Sequence, residues 1–197
     1  KTLFPYTTLF RSLVETGAAG VTRDPIATTM GTPDANVTFD GAPSLPLAVG
    51  SAAVAAAFDR AAATQCALAL GNCVGALELL ARYTTDRHQF GVPIATFQAV
   101  GNRAADRFID VECLRLTTWQ AAALLASGSP AAVEVDIAKI WAGDVGHRTS
   151  YTAQHLHGGA GMRRLMRGRT GLFRWLNYPF LSRFGAVIVL GERVMHI

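Results

Sequence analysis

Charged residues are scarce in this 197-residue sequence, at 16%, while half of the residues are hydrophobic. That balance excludes a disordered chain, and the length is enough for one or two domains with a core of their own. Cysteine is nearly missing as well. Cys66, Cys73 and Cys113 stand in apolar, helical-looking runs with no C-x-x-C pair. This argues against a disulfide scaffold and suits a reducing, cytoplasmic setting. The thiols read as small core residues rather than reactive groups. Apolar runs long enough for a bilayer are also absent: residues 61–80 are interrupted by Gln65, Asn72 and Glu78, and residues 184–190 are too few. No membrane span is expected.

Negative charge thins out toward the ends. Residues 13–161 hold nine Lys and Arg against thirteen Asp and Glu, whereas residues 162–197 hold seven arginines against Glu192 alone. The formal net charge of +4 therefore belongs to the ends and not to the body. The arginines lie in the least organised part of the sequence, so nucleic acid is not expected as a partner.

Four stretches differ in texture. Residues 2–12 resemble the translation of a common sequencing adapter, and residues 1–12 are set aside as an artefactual segment. Residues 13–47 carry short β-prone pieces, Val14-Glu15-Thr16, Val21-Thr22-Arg23 and Val37-Thr38-Phe39, between Gly, Pro and Asp turns. Residues 50–161 are helical in pattern. A first run places Val54, Phe58, Ala61, Leu70, Val74, Leu77 and Leu80 on one face and stops near Gly91-Val92-Pro93. A second runs from Phe97 through Phe108, Val111, Leu114, Thr118 and Ala121 to Leu125 and breaks at Gly128-Ser129-Pro130. A third carries Ile137, Trp141, Val145, Thr149, Thr152 and Leu156 and ends at Gly158-Gly159. Short turns between long helices imply an antiparallel arrangement. The expected fold is all-α, an antiparallel four-helix-bundle-type domain preceded by a short remnant of a β domain. The fourth helix belongs in residues 162–197, where the apolar face breaks down as in a degraded or frameshifted region.

The segment Arg87-His88-Gln89-Phe90-Gly91-Val92-Pro93-Ile94, followed by Phe97-Gln98, resembles the R-x-x-F-G-x-P-I-x-x-F-Q signature of the acyl-CoA dehydrogenase family. Ala138-Lys139 and His155-Leu156-His157-Gly158-Gly159-Ala160-Gly161 match two further blocks of that family, the second written Q-L-H-G-G-x-G. Val37-Thr38-Phe39-Asp40-Gly41 is similar to the last strand of the family's middle β domain. Ala57-Phe58-Asp59-Arg60 is similar to the entrance of its first C-terminal helix. Several blocks in register over residues 13–161 make the resemblance specific.

The resemblance implies FAD held at a subunit interface, an acyl-CoA substrate, and a homo- or hetero-oligomer, either dimer or tetramer. It implies cofactor contacts from Arg87, Gln89, Phe90, Gln98, His155, Gly158 and Gly159, and substrate contacts from Phe58 and Asp59. The chemistry fits these residue types. A guanidinium is a permanent, planar, two-pronged partner for a pyrophosphate. Paired glycines let a bulky group approach the backbone. Read without the family, Arg87 is a helix-end cation beside Asp86, and Gly158 is a helix cap. His147, His155 and His157 are not expected to hold a metal, because residues two apart diverge on a helix.

The family's reaction is α,β-dehydrogenation of the thioester, which needs a carboxylate base. Its two known placements fall here on Ala61 and near Ser182, and neither is acidic, so the catalytic residue is unassigned. Three readings follow. The chain is a fragment of an ordinary dehydrogenase, inactive alone. Alternatively it resembles the base-lacking, flavin-binding subunits of heteromeric acyl-CoA dehydrogenases used in actinobacterial steroid side-chain breakdown. A helical interaction module with a basic nucleic-acid-binding tail is the third.

Overall fold

The computed structural model describes residues 10–27, 34–49 and 51–160. The expected fourth helix, residues 162–197, lies outside them, as do residues 1–9. The chain divides into two compact units, with the division between Ala61 and Ala62.

The first unit contains four short strands and the opening turns of the first helix. β1 (Phe10–Leu13) pairs antiparallel with β4 (Leu45–Val49), and β2 (Val21–Ile26) pairs antiparallel with β3 (Asp34–Phe39). β2 and β3 fall where the β-prone pieces predict them. Val14-Glu15-Thr16 does not form a strand; the pairing lies just before it, so Phe10 to Ser12, set aside by the sequence reading, join β1. β4 was hidden by Pro46, which cannot donate to a ladder. The register shifts opposite it, between Arg11 and Ser12, and this irregularity accommodates the proline.

The second unit is helical. α1 (Ser51–Asp86) is alanine- and leucine-rich and so favoured along its length. It ends at Asp86, earlier than the Gly91-Pro93 break predicts. Thr84 and Thr85 donate their hydroxyls back to the Leu80 and Ala81 carbonyls, and β-branched residues paired this way weaken the last turn. α2 (Gln98–Ser127) closes in a Schellman arrangement: Gly128 takes φ 72°, its N–H reaches the Leu125 carbonyl, and the Ser129 N–H reaches that of Leu124. α3 (Ala132–His157) follows after four residues, so it runs antiparallel to α2.

The core between the helices is built from small residues. Ala63, Cys66, Leu70 and Cys73 of α1 meet Val111, Leu114 and Ala121 of α2 and Val135, Ala138, Ala142 and Val145 of α3. The α1 and α3 sets recur at three- and four-residue spacing, and the α2 set does so once buried Thr118 is included. The predicted faces of α2 and α3 hold at Val111, Leu114, Thr118, Ala121, Val145, Thr149 and Thr152. The larger apolar residues Phe108 and Ile137 turn outward instead, as do Leu116, Trp119 and Ile140. Small side chains allow close helix approach, so the contact stripe follows alanine and not bulk. Asp110, buried on α2, ties the helices further, 3.1 Å from Arg107 Nη2 and 3.5 Å from Arg148 Nη1 of α3. By length and composition alone residues Ala55–Asp86 could cross a bilayer; their Cys66, Ala69, Cys73, Ala76 and Leu80 stripe is buried within the protein.

Two predictions follow from this core. Leu114 is fully buried, so Leu114→Ala should lower stability by about 2–5 kcal/mol in denaturant titration; a loss below about 1 kcal/mol would contradict the packing. Burial pushes the Cys73 thiol up to about 12 from 9.0. The unfolded chain therefore loses this proton first, and the stability it supports is complete below pH 9 and falls as pH rises toward 12. The stability of the wild type relative to Cys73→Ala should drop by about 1.4 kcal/mol per pH unit above pH 9, read from unfolding curves at two alkaline pH values.

Candidate functional site

Three chain segments carry most of the predicted site residues, and the topology gathers their anchors at one end of the bundle. α1 finishes beside Arg87, α2 begins at Gln98, and α3 finishes before Gly158. A short connection keeps the first two together. The third is joined to them by an aromatic contact. The ring of Tyr83, in the last turn of α1, stacks on His157, the final residue of α3, with centroids 4.3 Å apart and planes at 24°. His157 is buried, and its Nδ1–H donates to the Ala153 carbonyl at 2.7 Å, which assigns the tautomer because a carbonyl only accepts.

Between α1 and α2 lies a hairpin that the sequence reading did not foresee. β5 (His88–Gln89) pairs antiparallel with β6 (Val92–Pro93) around a two-residue loop, Phe90-Gly91. Both loop residues have positive φ, 53° and 82°, the pattern of a type I′ turn. Glycine takes this conformation freely, but a phenylalanine there is strained by about 1 kcal/mol. The Phe90 side chain is nevertheless 95% exposed, touching Phe97 edge to face at 6.2 Å. Backbone bonds hold the hairpin's root: the Arg87 N–H donates to Tyr83 O at 2.9 Å, and the Ile94 N–H donates to Arg87 O at 2.8 Å. A 3₁₀ turn, Ile94–Thr96, then delivers Phe97 in extended conformation as the residue preceding α2.

Arg87 is exposed and, among the described residues, its guanidinium has no ion-pair partner; the pairing with Asp86 is not formed. Gln98 is exposed at the first position of α2. Gln89 bonds locally, its Nε2–H donating to His88 O at 2.6 Å. Gly158 adopts φ 55° and ψ −139°, a region open to glycine, and its N–H donates to the Gln154 carbonyl. A side chain built at either Gly158 or Gly159 would meet nothing within 4 Å among the described residues, so the backbone there is open toward them. His155 and His157 point apart: His155 is exposed and stacks on Tyr151 at 6.4 Å. Phe58, Asp59 and Ala61 belong to the first unit, each half-buried on α1. Ser182 lies outside the described residues. A separate cavity of about 510 Å³ opens between α2 and α3, lined by Arg103, Arg107, His147, Arg148 and Tyr151 and by none of the predicted site residues.

These features suit an anionic cofactor with a planar ring system: an uncommitted guanidinium, amide donors at helix ends, and bare glycine backbone. Sequence reasoning missed Tyr83. The available signal was its place four residues before Arg87, one helical turn back.

Residues 49–178 match the family described as Acyl-CoA dehydrogenase, C-terminal domain, and the chain belongs to the acyl-CoA dehydrogenase family, a family of flavoprotein oxidoreductases. Acyl-CoA dehydrogenase FadE27 of Mycobacterium tuberculosis is 44% identical over 104 residues, covering 49% of this chain and 28% of that protein. The 3-sulfinopropanoyl-CoA desulfinase of Paraburkholderia xenovorans is 33% identical over 155 residues, covering 73% of this chain and 39% of that protein. Among solved structures, the ChsE4-ChsE5 complex from Mycobacterium tuberculosis superposes with a TM-score of 0.75 at 33% identity, covering 88% of this chain and 47% of that one. The chain thus spans less than half the length of these relatives.

The strained loop yields a direct check. Phe90→Asn places a residue tolerant of positive φ in the turn and should raise stability by about 1 kcal/mol, measured by the denaturation midpoint. A loss of stability would mean that the contact with Phe97 outweighs the strain.

Proposed function

We propose that this chain is the helical part of an FAD-dependent acyl-CoA dehydrogenase and that it contributes one wall of a flavin site completed by a neighbouring protomer. The observation that carries this reading is the convergence of an exposed, uncommitted Arg87, the Gln98 helix start and the open Gly158–Gly159 backbone at one end of the bundle. Arg87 offers the cofactor's pyrophosphate a bidentate fork. Gln98 and the amides near it supply neutral hydrogen bonds. Gly158 and Gly159 leave room for the cofactor to lie against the main chain, and Phe90 presents apolar surface beside it. The flavin, when bound, accepts the substrate's β-hydrogen as hydride.

The large apolar residues left outside, Phe108, Leu116, Trp119 and Ile140 among them, support assembly into an oligomer. The acyl-CoA dehydrogenase FadE27 and the 3-sulfinopropanoyl-CoA desulfinase are both named for a CoA thioester, which supports acyl-CoA as the substrate class. Phe58 and Asp59 are assigned to that substrate, and the protein is placed in the cytosol, where its free thiols stay reduced.

A second reading is favoured by Ala61. At one of the two family placements of the base this chain has a methyl group, which cannot take a proton, and the similar ChsE4-ChsE5 structure is a complex of two differently named chains. A catalytically silent subunit paired with an active homologue satisfies both facts. Expression of the full-length gene separates the two. Flavin bleaching on adding acyl-CoA to the protein alone supports the self-sufficient enzyme; flavin bound only after co-expression with a homologue supports the silent partner. In either assembly Arg87→Lys keeps the charge and loses the fork, so flavin affinity should fall about tenfold by fluorescence titration. Unchanged affinity would remove Arg87 from the site.

A further inference from the structure

We infer that Tyr83 is a positioning residue whose ring, stacked on His157, locks the Arg87 hairpin to the Gly158–Gly159 turn so that both segments meet one flavin as a single preformed surface. The inference rests on the proposed flavin reading and deepens it, since Tyr83 itself is half-buried in the last turn of α1.

The coupling can be followed bond by bond. Hairpin and helix share the Arg87 peptide, whose N–H is held by Tyr83 O at 2.9 Å and whose carbonyl is held by the Ile94 N–H at 2.8 Å. Any rotation of the last turn of α1 therefore moves Arg87 and the base of the hairpin together. On the other side, His157 is fixed in place by its Nδ1–H bond to Ala153 and by burial to 4% exposure. Gly158 follows it directly, with its N–H anchored on Gln154 O at 3.0 Å. The contact joining these two halves is the ring stack at 4.3 Å, supplemented by the Tyr83 hydroxyl donating to His157 O at 3.4 Å. That last bond is long, so the ring face and not the hydroxyl is the principal tie.

The two segments are about seventy residues apart in sequence, and a ligand that bridges them gains from their being held in mutual register before it arrives. The core approaches this end in two pieces. Its main cluster on α1 ends at Cys73, and a second, smaller cluster of Ala76 and Ala153 with Leu79 packed on it lies toward the end where the site is built. On α1 the buried Leu80 and Thr84 follow that pair of alanines, and Tyr83 stacked on His157 is a further tie between α1 and α3 at this end.

The test uses the flavin-loaded assembly with three variants. Tyr83→Phe keeps the ring and should leave flavin affinity within about twofold of wild type. Tyr83→Leu removes the stack and should weaken flavin about tenfold and alter the visible circular dichroism of the bound isoalloxazine. His157→Leu reaches the same contact from α3 and keeps the test valid if Tyr83→Leu does not fold. The double variant should bind no more weakly than the worse single one, because both remove one contact. Tyr83→Leu that melts at lower temperature but holds flavin with unchanged affinity and dichroism would overturn the inference while leaving the flavin site intact. Wild-type assembly that holds no flavin would overturn the site and the inference together. Amide hydrogen exchange gives a readout free of flavin: Tyr83→Leu should speed exchange at residues 87–97 and at residues 158–159 together, and acceleration of one segment alone would refute the coupling.

Discussion

On the proposed reading, one aromatic contact holds the functional end of this bundle together. Tyr83 and His157 join α1 and α3 at the end of the bundle, and Arg87 and the Gly158–Gly159 turn, both proposed for the cofactor, follow directly from its two sides. Three long helices joined by short turns bring their ends near each other by topology alone. Topology sets distance only to within a helix diameter, whereas a charged fork and a bare glycine turn must share one ligand to within about an ångström. The ring stack supplies the finer specification.

The hairpin is the second constraint, and it shows local stability giving way. A phenylalanine at positive φ, fully exposed, is disfavoured twice over: by its backbone and by the apolar surface left in water. An asparagine at that position would suit the turn better and expose less apolar surface. Residues kept against both preferences mark surfaces that are covered when the protein works, and Phe90 stands between Arg87 and Gln98 in the loop that joins their helices. The outward-facing Phe108, Leu116, Trp119 and Ile140 extend the same argument along α2 and α3. This helical unit fills its core with alanine, cysteine, valine and a few leucines and leaves its aromatic side chains Phe108 and Trp119 on other surfaces.

On the proposed reading, a methyl group at Ala61, one family placement of the base, separates ligand binding from chemistry. On that reading the base and the flavin contacts are assigned to different residues, Ala61 standing at a placement of the base and Arg87, Gln98, Gly158 and Gly159 at the flavin. A family member can keep the wall and lose the base, and it remains useful wherever a homologue supplies the acid–base group.

Much of this was legible in the sequence. Periodicity gave three helices with boundaries set by Gly128, Pro130 and Gly158, because helix repeat and the special backbone of glycine and proline are local properties. The R-x-x-F-G and H-G-G blocks, on which the family resemblance and the proposed cofactor contacts rest, were legible for the same reason: they are short and contiguous. What only the tertiary structure decided is non-local. The core stripe followed alanines rather than the bulkier residues that hydropathy favours, since close helix approach depends on the facing helix. Phe10–Leu13 became a strand because Leu45–Val49 was there to pair with it. Tyr83, with no chemistry of its own to announce it, became the link between the two ends because His157, seventy-four residues later, folds onto its ring.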